Sequence, residues 1–292
     1  SYYPEECIKV LMGCAPCQPF STYSLRYTKE GPKDEKWKLL YYFRDLVKEI
    51  NPDIISMENV PQLVKTEIFK DFVKGLKDQG YHVSWQIVNC ADYGVPQSRS
   101  RLVLLASELG DISLIPPLYT EENYITVKDA IGSLPQIKDG ESCKTDALHR
   151  ASKLSKINKK RIKKSVPGGT WKDWDEKLQL SCHKKSTGQG YRAVYGRMEW
   201  GKPSPTITTQ FYGYGNGRFG HPEQNRALSM REGAILQSFP PDYKFIDVNH
   251  PQTNRQIGVH IGNAVPVKLG EAIGRSILDH LENCKEVKNV EE

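Results

Sequence analysis

The chain has 292 residues, of which 38% are hydrophobic and 26% charged, with a mean hydropathy of −0.57; this is the profile of a folded protein and excludes a disordered one. No run reaches the roughly 18 apolar residues that a membrane-spanning helix needs. The net charge of +6 is uneven: residues 144–202 hold 16 Lys+Arg against 5 Asp+Glu, a balance of +11 that leaves the rest at −5, and such concentration points to a polyanion-binding surface rather than a merely solvated face.

In chain order, Ile8 to Met12 is a short apolar run ending at Gly13 and predicts a buried strand. Residues 37–50 place Leu39, Leu40, Phe43, Leu46, Val47 and Ile50 at helical spacing. Pro52-Asp53 breaks that pattern, and Ile54 to Met57 reads as a second strand. Ile68, Phe69, Phe72, Val73 and Leu76 mark another helix, closed by Gly80. Val83–Val88 and Leu102–Ala106 are further strands. The alternation predicts a parallel α/β sheet with right-handed crossovers. Residues 111–228 carry the basic cluster and a Gly/aromatic stretch at Tyr212 to Gly217, with weak periodicity, and predict a loop-rich small domain. Helical spacing resumes from Ser229, and Leu269, Ala272, Ile273, Ile277 and Leu281 define the last helix. The expected organisation is a large domain over 1–110, a small domain over 111–228, and a return to the large domain over 229–292.

Seven cysteines at irregular spacing predict reduced thiols in a cytosolic protein rather than a disulfide framework. Cys17 lies in the loop Gly13-Cys14-Ala15-Pro16-Cys17-Gln18 directly after the first strand, at the carboxyl end of a sheet where ligands bind. It is a candidate nucleophile. Half a zinc site, a Cys-x-x-Cys redox pair and two core cysteines are competing readings of that segment alone. No second Cys-x-x-Cys or His pair follows at zinc-ligand spacing, so no metal is expected. Glu58 at the end of the second strand is a candidate acid, although a surface Glu is the commoner case. Arg99 and Arg101 alternate into the strand at Leu102, and in extended geometry both would face one way and could grip a carbonyl or phosphate.

Pro16-Cys17-Gln18, Glu58-Asn59-Val60 and Gln97-x-Arg99-x-Arg101, in that order, resemble signature motifs of the DNA cytosine-5 methyltransferase family. Arg226-x-Leu228-Ser229-x-Arg231-Glu232 with Leu236 to Pro240, and Gln256 to Pro266, resemble two more, so the resemblance spans nearly the whole chain. It implies a Rossmann-like, S-adenosylmethionine-dependent fold with a small target-recognition domain, of bacterial restriction–modification type. It further implies that Cys17 attacks C6 of a flipped-out cytosine, that Glu58 contacts N3 and the exocyclic amine, and that Arg101, with Arg99, grips O2. Pro16, Leu40, Asn263 and Val265 match cofactor-contacting positions. Gln18, Ser21, Arg197, Thr208 and Tyr212 are the expected DNA contacts, Thr208 to phosphate.

The family's N-terminal signature, a strand with a Phe- and Gly-rich loop and an acidic residue for the cofactor ribose, does not precede Cys17. Nor does Ser1 to Glu6 have the make-up of a signal peptide or begin with Met. The expectation is therefore a fragment, or one subunit of a split enzyme, whose cofactor site is completed by an N-terminal segment or a partner subunit; otherwise a monomer, acting on duplex DNA in the bacterial cytoplasm at the nucleoid. Two alternatives remain at this level: a catalytically silent DNA-binding homologue, and a tRNA cytosine-5 methyltransferase. Cys14 should be dispensable for methyl transfer but essential for a redox or metal role.

Overall fold

The computed structural model describes residues 7–15, 39–245 and 252–291. They fall into two compact units. The first comprises the described residues of 1–89, 100–117 and 270–292; the second comprises those of 90–99 and 118–269.

The first unit is built on a four-stranded sheet. Strand β1 (Val10–Gly13) is followed by helix α1 (Leu39–Ile50), β2 (Ile54–Asn59), α2 (Glu67–Lys77), β3 (His82–Asn89) and β4 (Ser100–Ser107), and the strand order is β1-β2-β4-β3. β1 and β2 are parallel, with Val10 opposite Ile54. β4 is antiparallel to both β2 and β3, with Glu58 opposite Val103 and Val88 opposite Arg101. The all-parallel sheet expected from the sequence is thus corrected to a mixed one. The cause is the β3–β4 connection over residues 90–99, which holds only a 3-10 turn; a parallel crossover needs a dozen or more residues.

Leu40, Phe43 and Val47 of α1 and Phe69, Phe72 and Leu76 of α2 are buried with Ile55, Met57, Leu102 and Leu104 of the sheet. Phe43 and Phe72 stack at 5.9 Å. Side chains of this size each contribute about 1.5–3 kcal/mol on full burial. Gly13 ends β1 because a Cβ there would sit 2.4 Å from the Phe43 ring. Thr66 caps α2, accepting from Phe69 N at 3.3 Å, and Gly80 follows it at φ +95°, the left-handed conformation expected of a helix-closing glycine.

In the second unit the helices are α3 (Val127–Ile131), α4 (Lys156–Lys164), α5 (Ser181–Lys184), α6 (Met230–Leu236) and α7 (Asn254–Asn263). Strand pairing among its described residues is confined to isolated bridges such as Gln97–Ser204. Its main core joins Met230, Ala234 and Leu236 of α6 and Ile257 and Ile261 of α7 to Ile207, Phe211 and Phe219. That burial draws 229–269 into the second unit, whereas the sequence assigned 229–292 to the large domain. Only from residue 270 does helix α8 (Val267–Glu291) belong to the first unit. There His280 meets Ser107 Oγ at 2.8 Å, and Ser276 Oγ accepts from Ile115 N at 2.9 Å. Ser107 alternates with the core-facing Leu104 and Ala106, so this part of α8 lies on the sheet face opposite α1 and α2.

A buried polar network stiffens the second unit. Arg226, fully buried, donates from Nη1 and Nη2 to the two oxygens of Glu232 at 2.7 and 2.6 Å. Glu232 also accepts from Ser229 N at 2.7 Å, and Ser229 Oγ accepts from Glu232 N, a reciprocal cap on α6. His221 is 2% exposed, and its Nδ1 accepts from Glu223 N and Gln224 N. Burial pushes its pKa down to about 4, against a partial opposing pull from Glu232. Glu232 itself is raised by burial, but the Arg226 guanidinium outweighs this and holds it below the usual carboxylate range.

Candidate active site

The carboxyl ends of β1 and β2 are neighbours because the two strands are parallel, and chemistry-bearing residues collect there. Glu58, the penultimate residue of β2, has a side chain only 8% exposed. One of its oxygens lies 2.7 Å from Arg101 Nε, on the adjacent strand β4. The other accepts from the Cys14 thiol at 3.0 Å. Arg101 also donates to Ser100 O at 2.7 Å. Asn59 Nδ2 donates to Ala15 O at 3.1 Å and ties the loop after β1 to the end of β2. A carboxylate held from both sides in this way has its plane fixed and can present an oxygen to a heterocyclic N–H with little reorganisation.

Cys17, Pro16, Gln18 and Ser21 lie outside the described residues. Cys14 and Ala15 are the last described positions before them.

Arg99 does not join Arg101. It is 4% exposed and belongs to the second unit, donating to Ile207 O at 2.9 Å and Gly262 O at 3.0 Å. Gln97 works beside it, donating to Leu236 O at 3.0 Å and accepting from Ile207 N at 2.9 Å. One short motif therefore serves two ends: Gln97 and Arg99 brace the second unit, while Arg101 orients Glu58. The expectation that Arg99 shares a ligand with Arg101 is corrected: the Arg99 guanidinium is taken up by the Ile207 and Gly262 carbonyls.

Arg197 is likewise corrected as a DNA contact. It is 4% exposed and its guanidinium donates to the carbonyls of Ile162, Ser165, His221 and Gln224 and to the Asn225 side chain. It organises the basic region from within. Thr208 is exposed, as a phosphate contact requires. Tyr212 is half-buried, edge-on to Phe211 at 6.0 Å.

Of the positions expected to meet the cofactor, Asn263 is exposed at the end of α7 and Val265 is half-buried. A free carboxamide beside a partly open aliphatic side chain suits a ligand with both polar and apolar parts. Leu40 is different: at 3% exposure it is committed to the first unit's core, so its role is to seat α1. The Cys14–Glu58 contact was not anticipated. The Cys-x-x-Cys spacing marked Cys14, but for redox or metal chemistry rather than for a contact with Glu58.

Known proteins bear on this arrangement. The family model for C-5 cytosine-specific DNA methylases matches residues 2–279. The type II methylase M.HgiDII of Herpetosiphon aurantiacus is 53% identical over 292 residues, covering 99% of this chain and 81% of that protein. The type II methyltransferase M1.BsuMI of Bacillus subtilis (strain 168) is 31% identical, covering 90% of this chain and 59% of its own length. Among solved structures, a putative prophage-encoded DNA modification methyltransferase from E. coli superposes with a TM-score of 0.68 at 22% identity, over 94% of this chain and 79% of that one. That likeness establishes the fold as the Rossmann-like methyltransferase type. With a family match over nearly its whole length, the chain belongs to the C-5 cytosine-specific DNA methylases, S-adenosylmethionine-dependent enzymes that methylate cytosine in DNA.

Proposed function

We propose that the chain is the catalytic portion of a type II modification methylase acting on duplex DNA, with Cys17 as nucleophile and Glu58 and Arg101 as the groups that hold the target cytosine. The observation that carries this reading is the Glu58 carboxylate, clamped between Arg101 and Cys14 at the carboxyl ends of β1 and β2, three residues from Cys17 in the chain. The type II methylase relatives favour DNA over tRNA as substrate.

C5 of cytosine is part of an aromatic ring and is a poor nucleophile. Attack of the Cys17 thiolate on C6 forms an S–C6 bond and moves the ring's electron pair toward C5 and N3. Glu58, hydrogen-bonded to N3 and the exocyclic amine, stabilises that charge by supplying a proton at N3. Arg101 fixes the carboxylate and presents a guanidinium toward O2. S-adenosylmethionine would supply the electrophilic methyl group when bound, and the resemblance assigns Asn263 and Val265 as described residues that would contact it. Loss of the C5 proton to a base then returns an electron pair to the ring and expels the Cys17 thiolate, and the N3 proton goes back to Glu58, so the enzyme is regenerated. The base must leave the duplex stack for this chemistry, as methyltransferases require.

The test is transfer of labelled methyl from S-adenosylmethionine to duplex DNA, using the intact gene product beside Cys17→Ala. Label on cytosine C5 that vanishes in the variant is the expected result. Absence of label from a folded, cofactor-binding protein would overturn the reading.

A further inference from the structure

Helix α4 carries four lysines on one stripe: Lys156, Lys160, Lys163 and Lys164 stand at i, i+4, i+7 and i+8, which share a helix face. All four are exposed, and none has an ion-pair partner among the described residues. Every other polar residue of the helix has a structural task. Ser155 caps it, accepting from Asn158 N at 3.3 Å. Lys159 pairs with Asp139 at 2.8 Å. Arg161 donates to Leu178 O at 2.9 Å and lies over the Tyr195 and Trp174 rings at 5.2 and 5.8 Å. Ile162 is fully buried and anchors the helix.

A merely solvated helix face mixes charges, as α2 does with its Glu67–Lys70 pair at 2.7 Å. Like charges at i, i+4 instead cost a helix a few tenths of a kcal/mol per pair. Lys163 also lines a groove of about 480 Å³ with Lys138, and the two acids of that groove are already engaged: Asp139 by Lys159, and Glu141 by the Lys138 backbone N–H at 3.0 Å. The stripe from Lys156 to Lys164 is about 12 Å long at the α-helical rise, comparable with three to four base-pair steps of about 3.4 Å.

We infer that this face of α4 binds the phosphate backbone of duplex DNA, supplying affinity without reading sequence. The inference rests on the proposed DNA substrate and adds to it a surface that the motifs do not mark.

The experiment compares the intact protein with Lys156→Gln/Lys160→Gln/Lys163→Gln/Lys164→Gln and with the matching four-fold Lys→Arg variant. Affinity for a short duplex is measured against salt. Removing four phosphate contacts should lower the slope of log affinity against log salt by up to about 3.6, so that between 50 and 200 mM salt the parent loses roughly 100-fold more affinity than the Gln variant. The Arg variant should keep the parent's slope. kcat at saturating DNA should be unchanged in both, and melting of the Gln variant no lower, since repulsion has been removed. An unchanged slope in a folded Gln variant overturns the inference, as does a loss confined to tRNA. A parent that transfers no methyl would overturn the functional reading instead, and the salt slope would still report on α4.

Discussion

Glu58 and Arg101 meet at 2.7 Å across the antiparallel pair β2–β4, both largely shielded from water. The contact exists because β4 runs against β2, which brings the start of one strand beside the end of the other. Glu58→Gln keeps the shape but can neither pair as a carboxylate with Arg101 nor exchange a proton with N3; kcat should fall by about 10²–10⁴ with melting little changed. Arg101→Lys keeps a cation but loses the planar fork and should also lower kcat. Arg101→Ala leaves a nearly buried carboxylate unpaired and should in addition lose about 3 kcal/mol of stability, read by denaturant unfolding. Full turnover in Glu58→Gln would remove Glu58 from the chemistry.

Cys14 was expected to be irrelevant to methyl transfer, yet its thiol donates to Glu58 at 3.0 Å. A thiol is a weak donor, so Cys14→Ala should reduce kcat modestly, about 3–10-fold, or ~1 kcal/mol in the barrier. Cys14→Ser restores a donor and should recover most of the rate. Single-turnover methyl transfer measures both, and a Cys14→Ala rate equal to the parent's would show that Arg101 alone suffices to orient Glu58.

The helices and strands around this site were legible because burial writes itself into period: Phe69, Phe72 and Leu76 announce α2, and Gly80 its end. The direction of β4 was not, since Leu102 to Ala106 spell a buried strand equally well in either sense. Nor was α7, where Gly258 and Gly262 lower helix propensity but are needed so that Tyr212 and the Thr208–Thr209 backbone can approach. The site's charges were harder still. Arg99 and Arg197 look like exposed cations in composition, and only tertiary structure reveals that carbonyl oxygens such as Ile207 O and His221 O absorb them. The ordered motifs singled out Glu58 and Arg101, which do meet at 2.7 Å, because they constrain positions together, whereas a count of charge constrains none; Cys17 lies outside the described residues.

His221 gives the second unit a pH dependence with a definite sign. Its pKa is pushed from 6.5 to about 4 by burial, so the unfolded chain binds more protons between those values and stability falls as pH drops through that window. The ceiling is about 3 kcal/mol at ~1.36 kcal/mol per unit. The nearby Arg226 and Arg197 guanidiniums add to the effect of burial, and two backbone N–H groups donate to Nδ1. Glu232, held low by Arg226, adds a loss of the same sign, but only below its ordinary value near 4.5. Thermal melting followed from pH 7 to 4.5 should decline in the parent and much less in His221→Gln, whose side chain keeps an acceptor but does not titrate. Parallel curves would assign the acid sensitivity elsewhere.

Gly262 couples α7 to the exposed Thr208. A Cβ at this position would stand 2.4 Å from Thr209 N and 2.5 Å from Thr208 C. These are backbone atoms and cannot move aside as a side chain could, and Arg99 Nη2 holds Gly262 O at 3.0 Å on the other side. Gly262→Ala should therefore push the Thr208–Thr209 segment off the helix, at about 1–3 kcal/mol for overpacking. If Thr208 contacts phosphate, the same displacement should weaken DNA binding beyond what Thr208→Val does by removing the hydroxyl alone. Melting and duplex affinity measured on both variants separate the two effects. A Gly262→Ala protein with the parent's stability and affinity would mean that the loop yields freely, and that its close seating on α7 has no part in presenting Thr208.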